Sequence, residues 1–163
     1  MADFRVHLTG QAEFTGRMRQ APAIVGTALR RAVDRCTALG ERGSKTMVPV
    51  DTGHLRRSIT ASRATFAGGV ARGAWGTNVP YARPVHDGRR AGAPMPPAGA
   101  LTGWLRRHGI PIAAEFVVRR AIGQRGIPPR RFLADVLTRL EPRFRAEFDQ
   151  ARREIVAALA GRR

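Results

Sequence analysis

The chain has 163 residues, 43% of them hydrophobic, and a formal net charge of +17. That length suits one compact domain, 1–163, with a buried core and is short for two, and no apolar run approaches the roughly 18 residues of a membrane span. Cys36 is the single cysteine and reads as a small core residue, which excludes an internal disulfide and a cysteine-built zinc site; Met1-Ala2-Asp3-Phe4-Arg5 is not followed by the apolar stretch of a signal peptide, so a cytosolic product is expected.

Phe4-Arg5-Val6-His7-Leu8 alternates with period two before Thr9-Gly10 and predicts a short strand and turn. From about Pro22 the apolar residues Val25, Leu29, Ala32, Cys36, Leu39 and Gly43 fall three or four apart, with Arg30, Arg31, Asp34, Arg35 and Arg42 elsewhere. This predicts an amphipathic helix of roughly six turns, with Pro22 in its first turn and Pro49 ending it. Two runs, Leu55 to Phe66 and Val70 to Trp75, flank Gly68-Gly69 and predict a β-hairpin. Tyr81 to His86 reads as a further extended piece, with Pro84 placing it at an edge or an end.

Asp87 to Gly99, rich in glycine and proline and carrying Arg89 and Arg90, predicts a mobile basic loop suited to making contacts. Leu101, Trp104 and Leu105, then Ile112, Phe116, Val117 and Ala121, predict two short helices joined by Gly109-Ile110-Pro111. After Pro128-Pro129, the residues Phe132, Leu133, Val136, Leu137, Leu140, Phe144, Phe148, Ala151, Ile155 and Leu159 form the longest periodic stretch. Pro142 is expected to kink or divide that helix, since an interior proline removes a hydrogen bond at a cost of about 3 kcal/mol. Both halves are expected to pack on one surface made by the sheet and the first helix. The class that results is α+β.

The charge sits mainly in the middle, where residues 54–131 hold 14 arginines against two acidic residues. Arginine's planar fork suits phosphate or carboxylate, so the expected partner surface is anionic: DNA, an acidic protein, or neither if coding bias alone enriched arginine.

Asp51-Thr52-Gly53 has the composition of an aspartic-protease triplet. That chemistry needs two carboxylates sharing a proton, hence a homodimer here, and nearby guanidinium groups of Arg56 and Arg57 would oppose proton sharing by keeping Asp51 ionised. The preferred reading is a turn in which aspartate and threonine bond local amides and glycine supplies a positive φ. His7, His54, His86 and His108 lack ligand spacing, Ser58 lacks a Gly-x-Ser-x-Gly elbow, and no phosphate-binding glycine loop ends in Gly-Lys-Ser/Thr, so neither a metal nor a cofactor is expected. Trp75, Tyr81 and Trp104 have π-faces for stacking on bases, but with aromatics at 6% the favoured roles are in the core or at subunit contacts.

Four blocks then occur in order: Pro49-Val50-Asp51-Thr52-Gly53-His54-Leu55-Arg56-Arg57-Ser58-Ile59; Gly76-Thr77-Asn78-Val79-Pro80-Tyr81-Ala82; Val85-His86-Asp87-Gly88; and Pro128-Pro129-Arg130-Arg131-Phe132-Leu133. Together they resemble the tail-completion or neck protein family of long-tailed double-stranded DNA phages, also described as minor tail components or head–tail connectors. His86-Asp87-Gly88 stands where that family usually has a glutamate-glycine step, and residues 94–126 are expected to form an inserted helical pair. The resemblance implies a non-enzymatic virion protein at the head–tail junction, made in the host cytoplasm. It further implies a ring, commonly of six copies, between the capsid connector and the tail tube or its terminator, with DNA passing through the lumen without sequence recognition. On that basis Pro49, Asp51, Thr52, Gly53 and Tyr81 are expected to shape a structural corner. Arg56, Arg57, Arg89 and Arg90 are expected to face neighbouring subunits or the channel. A basic DNA-binding protein outside any virion is the alternative that charge supports.

Overall fold

The computed structural model describes residues 9–161; the expected strand at Phe4–Leu8 lies outside them. Helix α1 spans Gln11–Met47, a single run of 37 residues that begins well before Pro22. Its start is set by Gly10, whose φ of 84° no other residue type adopts readily, and Pro22 is an interior residue of the helix, correcting the expected first-turn placement. Phe14 and Met18 continue the helix while exposed, so this first stretch carries no amphipathic signature.

Helix α2, His54–Ser58, follows, and then four short strands: β1 Thr60–Ala61, β2 Thr65–Ala67, β3 Val70–Arg72 and β4 Trp75–Gly76. The strand expected from Leu55 thus begins later. Leu55 and Ile59 are one helical turn apart and both buried, a spacing of four rather than two. The hairpin itself is present. Strands β2 and β3 pair antiparallel as Thr65↔Arg72, Phe66↔Ala71 and Ala67↔Val70, and both residues of the Gly68-Gly69 turn have positive φ. Strands β1 and β4 extend the same ribbon as Thr60↔Gly76 and Ala61↔Trp75. Between the two pairs, Ser62 to Ala64 oppose Gly73 and Ala74, and the Ser62 amide donates to the Ala74 carbonyl at 2.8 Å. A Cβ at Gly73 would sit 2.6 Å from Val33 Cγ1, so the bulge presses backbone directly on α1.

Helix α3, Ala82–Asp87, replaces the expected extended piece. Pro84 falls in its first turn, where an amide has no helical acceptor in any case, and Ala82 and Val85 turn inward together. The expected helical pair is α4, Thr102–Arg107, and α5, Glu115–Arg125, with a 3₁₀ turn at Ile112–Ala114 before α5. Helix α6, Ala134–Ala160, runs 27 residues through Pro142 without division.

Helices α1 and α6 are antiparallel. Gly43 meets Val136 and Leu140, the Arg35 guanidinium pairs with Glu147, Ala28 and Ala32 meet Ala151 and Ile155, and Arg17 lies over Gly161. The hairpin lies across the same α1, with Phe66 on Gly26 and the Trp75 ring on Gly40. Trp75 also meets Phe144 of α6 edge-on at 5.9 Å, tying the three elements together. Asp34 and Glu41, two helical turns apart on α1, accept the hairpin amides of Ala64 and Ala61 at 2.6 and 2.8 Å. Cys36 is buried in this seam, and burial, reinforced by Glu147, raises its pKa. The whole is an α+β arrangement of a helical pair and a small antiparallel ribbon.

Candidate interface at the Asp51 to Gly53 corner

The four blocks that carry the resemblance converge on one core. Val48, Leu55, Ile59, Ala82 and Phe132 are buried together, and Val79, Val85 and Leu133 pack against them. Phe132 and Ile59 are fully enclosed, and His86 meets the Phe132 ring edge-on at 5.2 Å. His86 also receives the Ala134 amide on Nε2 at 3.4 Å and contacts Asp87 through Nδ1 at 2.8 Å, so it staples α3 to the start of α6. The hydrogen bond from His86 is the main reason the Asp87 carboxyl is held below its usual range.

Above that core, Pro49 to Gly53 make an exposed bend between α1 and α2. Gly53 has φ 75° and caps α2, and its carbonyl accepts the Arg57 amide at 3.0 Å. Thr52 Oγ1 accepts the His54 amide at 3.4 Å, and the Thr52 carbonyl accepts Arg57 Nη1 at 3.3 Å. Tyr81, half exposed, shares a 2.9 Å hydrogen bond with His54 Nδ1 and so joins the second block to the first. Ser58 and Thr77 share another at 2.7 Å. The expected bend is therefore present, with one correction: Asp51 is engaged by a distant side chain. Arg107 of α4 donates to it twice, from Nε at 3.0 Å and Nη2 at 2.5 Å. This bidentate bond lowers the Asp51 pKa and raises that of Arg107.

A protease dyad calls for a second carboxylate at Asp51 with a shared proton; the group found there is a cation that favours the ionised form. Arg57 turns back on the bend, and Arg56 is exposed beside it. The loop from Asp87 to Gly99 is tethered. The Arg89 amide and carbonyl pair with Ile127 at 2.8 Å each, the Gly92 amide donates to the Gly123 carbonyl at 2.8 Å, and Arg89 Nη2 donates to the Pro94 carbonyl. Arg89 is thus partly buried while Arg90 is exposed, and the two pairs of arginines sit on different elements. Bend, α3 and α4 together enclose a cleft of about 660 Å³ lined by Val50, His54, Tyr81, Trp104, Arg107 and Arg130, among others. Among the described residues no group of three histidine, cysteine or acidic side chains has metal-site geometry, and no helix is long and apolar enough to cross a membrane.

Three contacts lie outside what the sequence announced: Arg107 on Asp51, and the hairpin anchors Asp34 and Glu41. The seven-residue spacing of the two anchors, which returns both to one helix face, was the available signal.

Such a site is a polar bend clamped over a shared core. Residues 12–88 match the HK97-gp10-like family model, described as "Bacteriophage HK97-gp10, putative tail-component". The matched segment takes in α1, the bend, the hairpin and α3, and it supports the resemblance to tail-completion and neck proteins read from the ordered blocks. No curated protein and no solved structure matches the chain.

Proposed function

We propose that this chain is a non-enzymatic structural protein of the phage head–tail interface, in which identical copies, six in number, close a ring between the capsid connector and the tail tube. DNA passes through the lumen without sequence readout, and the whole chain acts as one domain with 94–126 as an insertion. The observation that carries this reading is the match of residues 12–88 to a tail-component family. In this reading Pro49, Asp51, Thr52, Gly53 and Tyr81 hold the bend in shape, while Arg56, Arg57, Arg89 and Arg90 face neighbouring copies or the channel. The excess of arginine over acid suits a lumen filled with phosphate.

Native mass of the purified protein tests the ring: a species near six times the 17.8 kDa chain supports it, and a monomer at all concentrations removes it. Reversing Arg56 and Arg57 to glutamate is expected to reduce the number of tailed particles, and an undiminished yield would dismiss those side chains. The net charge of +17 also favours a second reading, a DNA-binding monomer outside the virion. Gel shifts at two salt concentrations separate the two, because tight, steeply salt-dependent binding by a monomer belongs only to the second.

A further inference from the structure

Helix α5 is the one long helix of this structure, among the described residues, that buries none of its side chains. Its outer face, with the 3₁₀ turn before it, presents Ile112, Phe116 and Val117 at 45%, 56% and 66% exposure, beside exposed Pro111 and Ala113. Ile112 lies four positions before Phe116 and Val117 follows it, so the exposed apolar residues cluster at the start of α5. The patch is held firmly. Glu115 accepts the Leu101 amide at 3.1 Å, Arg119 Nε donates to the Pro96 carbonyl at 2.6 Å, and the Arg107 clamp on Asp51 ties α4 to the bend. Gly126, with φ 73°, closes the end of α5 against the backbone of Arg89 to Ala91 so tightly that a Cβ has no room. A surface mounted this way loses little freedom on binding.

The chemistry around the patch says what covers it. Residues 94–126 carry five arginines against one acid, Glu115, and Arg106, Arg120 and Arg125 are exposed. An aromatic anchor with an arginine rim is the composition of a protein-binding hot spot. A second copy is a poor complement, because most acids of this chain already bind its own groups. Asp34 and Glu41 hold the hairpin, Glu141, Glu147, Asp149 and Glu154 bind side chains on α1 or α6, and Asp51 holds Arg107. Nucleic acid neutralises arginine but leaves Phe116 and Val117 wet. We infer that the outer face of α5 docks a different, acidic protein of the particle, one that presents apolar side chains within a carboxylate rim. The inference rests on the virion reading above. It concerns a segment beyond residues 12–88, so it is a property of this chain and not of the matched family segment.

Two measurements test it. In assembled particles, with Val117 replaced by a photoreactive phenylalanine, irradiation is expected to cross-link the chain to a protein of different sequence, identified by mass spectrometry, at a surface rich in aspartate and glutamate. A cross-link to a second copy or to DNA, or none although the chain is incorporated, overturns the inference and leaves the virion reading standing. Absence of the chain from particles removes the virion reading itself. The double substitution Phe116→Ser and Val117→Ser is expected to leave the melting temperature and native mass unchanged and to lower incorporation into particles by roughly tenfold or more. A change in native mass instead, or full incorporation, would assign the patch to another role.

Discussion

The helical seam and the bend are closed by opposite means. Along α1, Gly26 and Gly40 let the Phe66 and Trp75 rings lie on bare backbone, where a Cβ would come within 2.7 and 2.5 Å of ring carbons. At the bend, closure comes from charge and hydrogen bonds at the surface: Arg107 on Asp51 and Tyr81 on His54. Contacts of the first kind exclude water and respond to a single methyl group, whereas exposed ion pairs contribute little to global stability and chiefly fix position. Stability therefore resides in the seam and the core below the bend, and the clamp fixes the position of α4 against the bend.

The largest effect is expected at Phe132, which joins the two regions because it is fully buried under the bend and opens α6. Phe132→Ala is expected to lower stability by about 3–5 kcal/mol, which for a chain of this size lowers the melting temperature by roughly 10 °C. A loss below about 1 kcal/mol would mean that the core beneath the bend is not shared. Next come two glycines of the same helix. Gly40→Ala forces a methyl group into the Trp75 ring and is expected to cost about 1–3 kcal/mol, less what alanine returns in helix propensity. Gly16→Ala meets no atom within 4 Å and is expected to stabilise by about 0.5–1 kcal/mol. Thermal melts of the pair check the comparison directly. Equal shifts of one sign would show that the seam is not closed on bare backbone.

The seam was legible in the sequence where burial imposes a period. Val25, Leu29, Ala32, Cys36 and Leu39 announced α1, and Gly68-Gly69 announced the hairpin. The start of α1 was not legible, because Phe14 and Met18 are exposed and the boundary depends on the left-handed φ of Gly10. Pro84, which suggested an extended piece at an edge or an end, falls in the first turn of α3, and Pro142, expected to kink or divide the last helix, lies within a helix that is not divided. At Pro142 the lost hydrogen bond, about 3 kcal/mol in an isolated helix, is offset by contacts on either side, Leu140 against Gly43 and Phe144 against Trp75. The bend itself was legible from Asp51-Thr52-Gly53. Its clamp was not, because Arg107 lies 56 residues away on another helix and no local pattern singles out one arginine among many.

The smallest global effect and the sharpest local one are expected at Asp51. Its carboxyl is held below the usual range chiefly by the hydrogen bonds from Arg107, so the clamp is fully present above the unfolded value near 4 and is lost as pH falls through the lowered one. Both groups are exposed, and salt screens the pair. Asp51→Asn keeps the shape and removes the charge, so at neutral pH it imitates the acid form. The expected result is a melting temperature within error of the parent and, by hydrogen exchange, a severalfold fall in protection confined to α4, matched in the parent protein only below about pH 4. Unchanged protection of α4 would show that packing of Trp104 and Leu105 holds this helix without the clamp. A collapse of the whole fold would place Asp51 with the seam, and the division between stabilising and positioning contacts would then have to be drawn elsewhere.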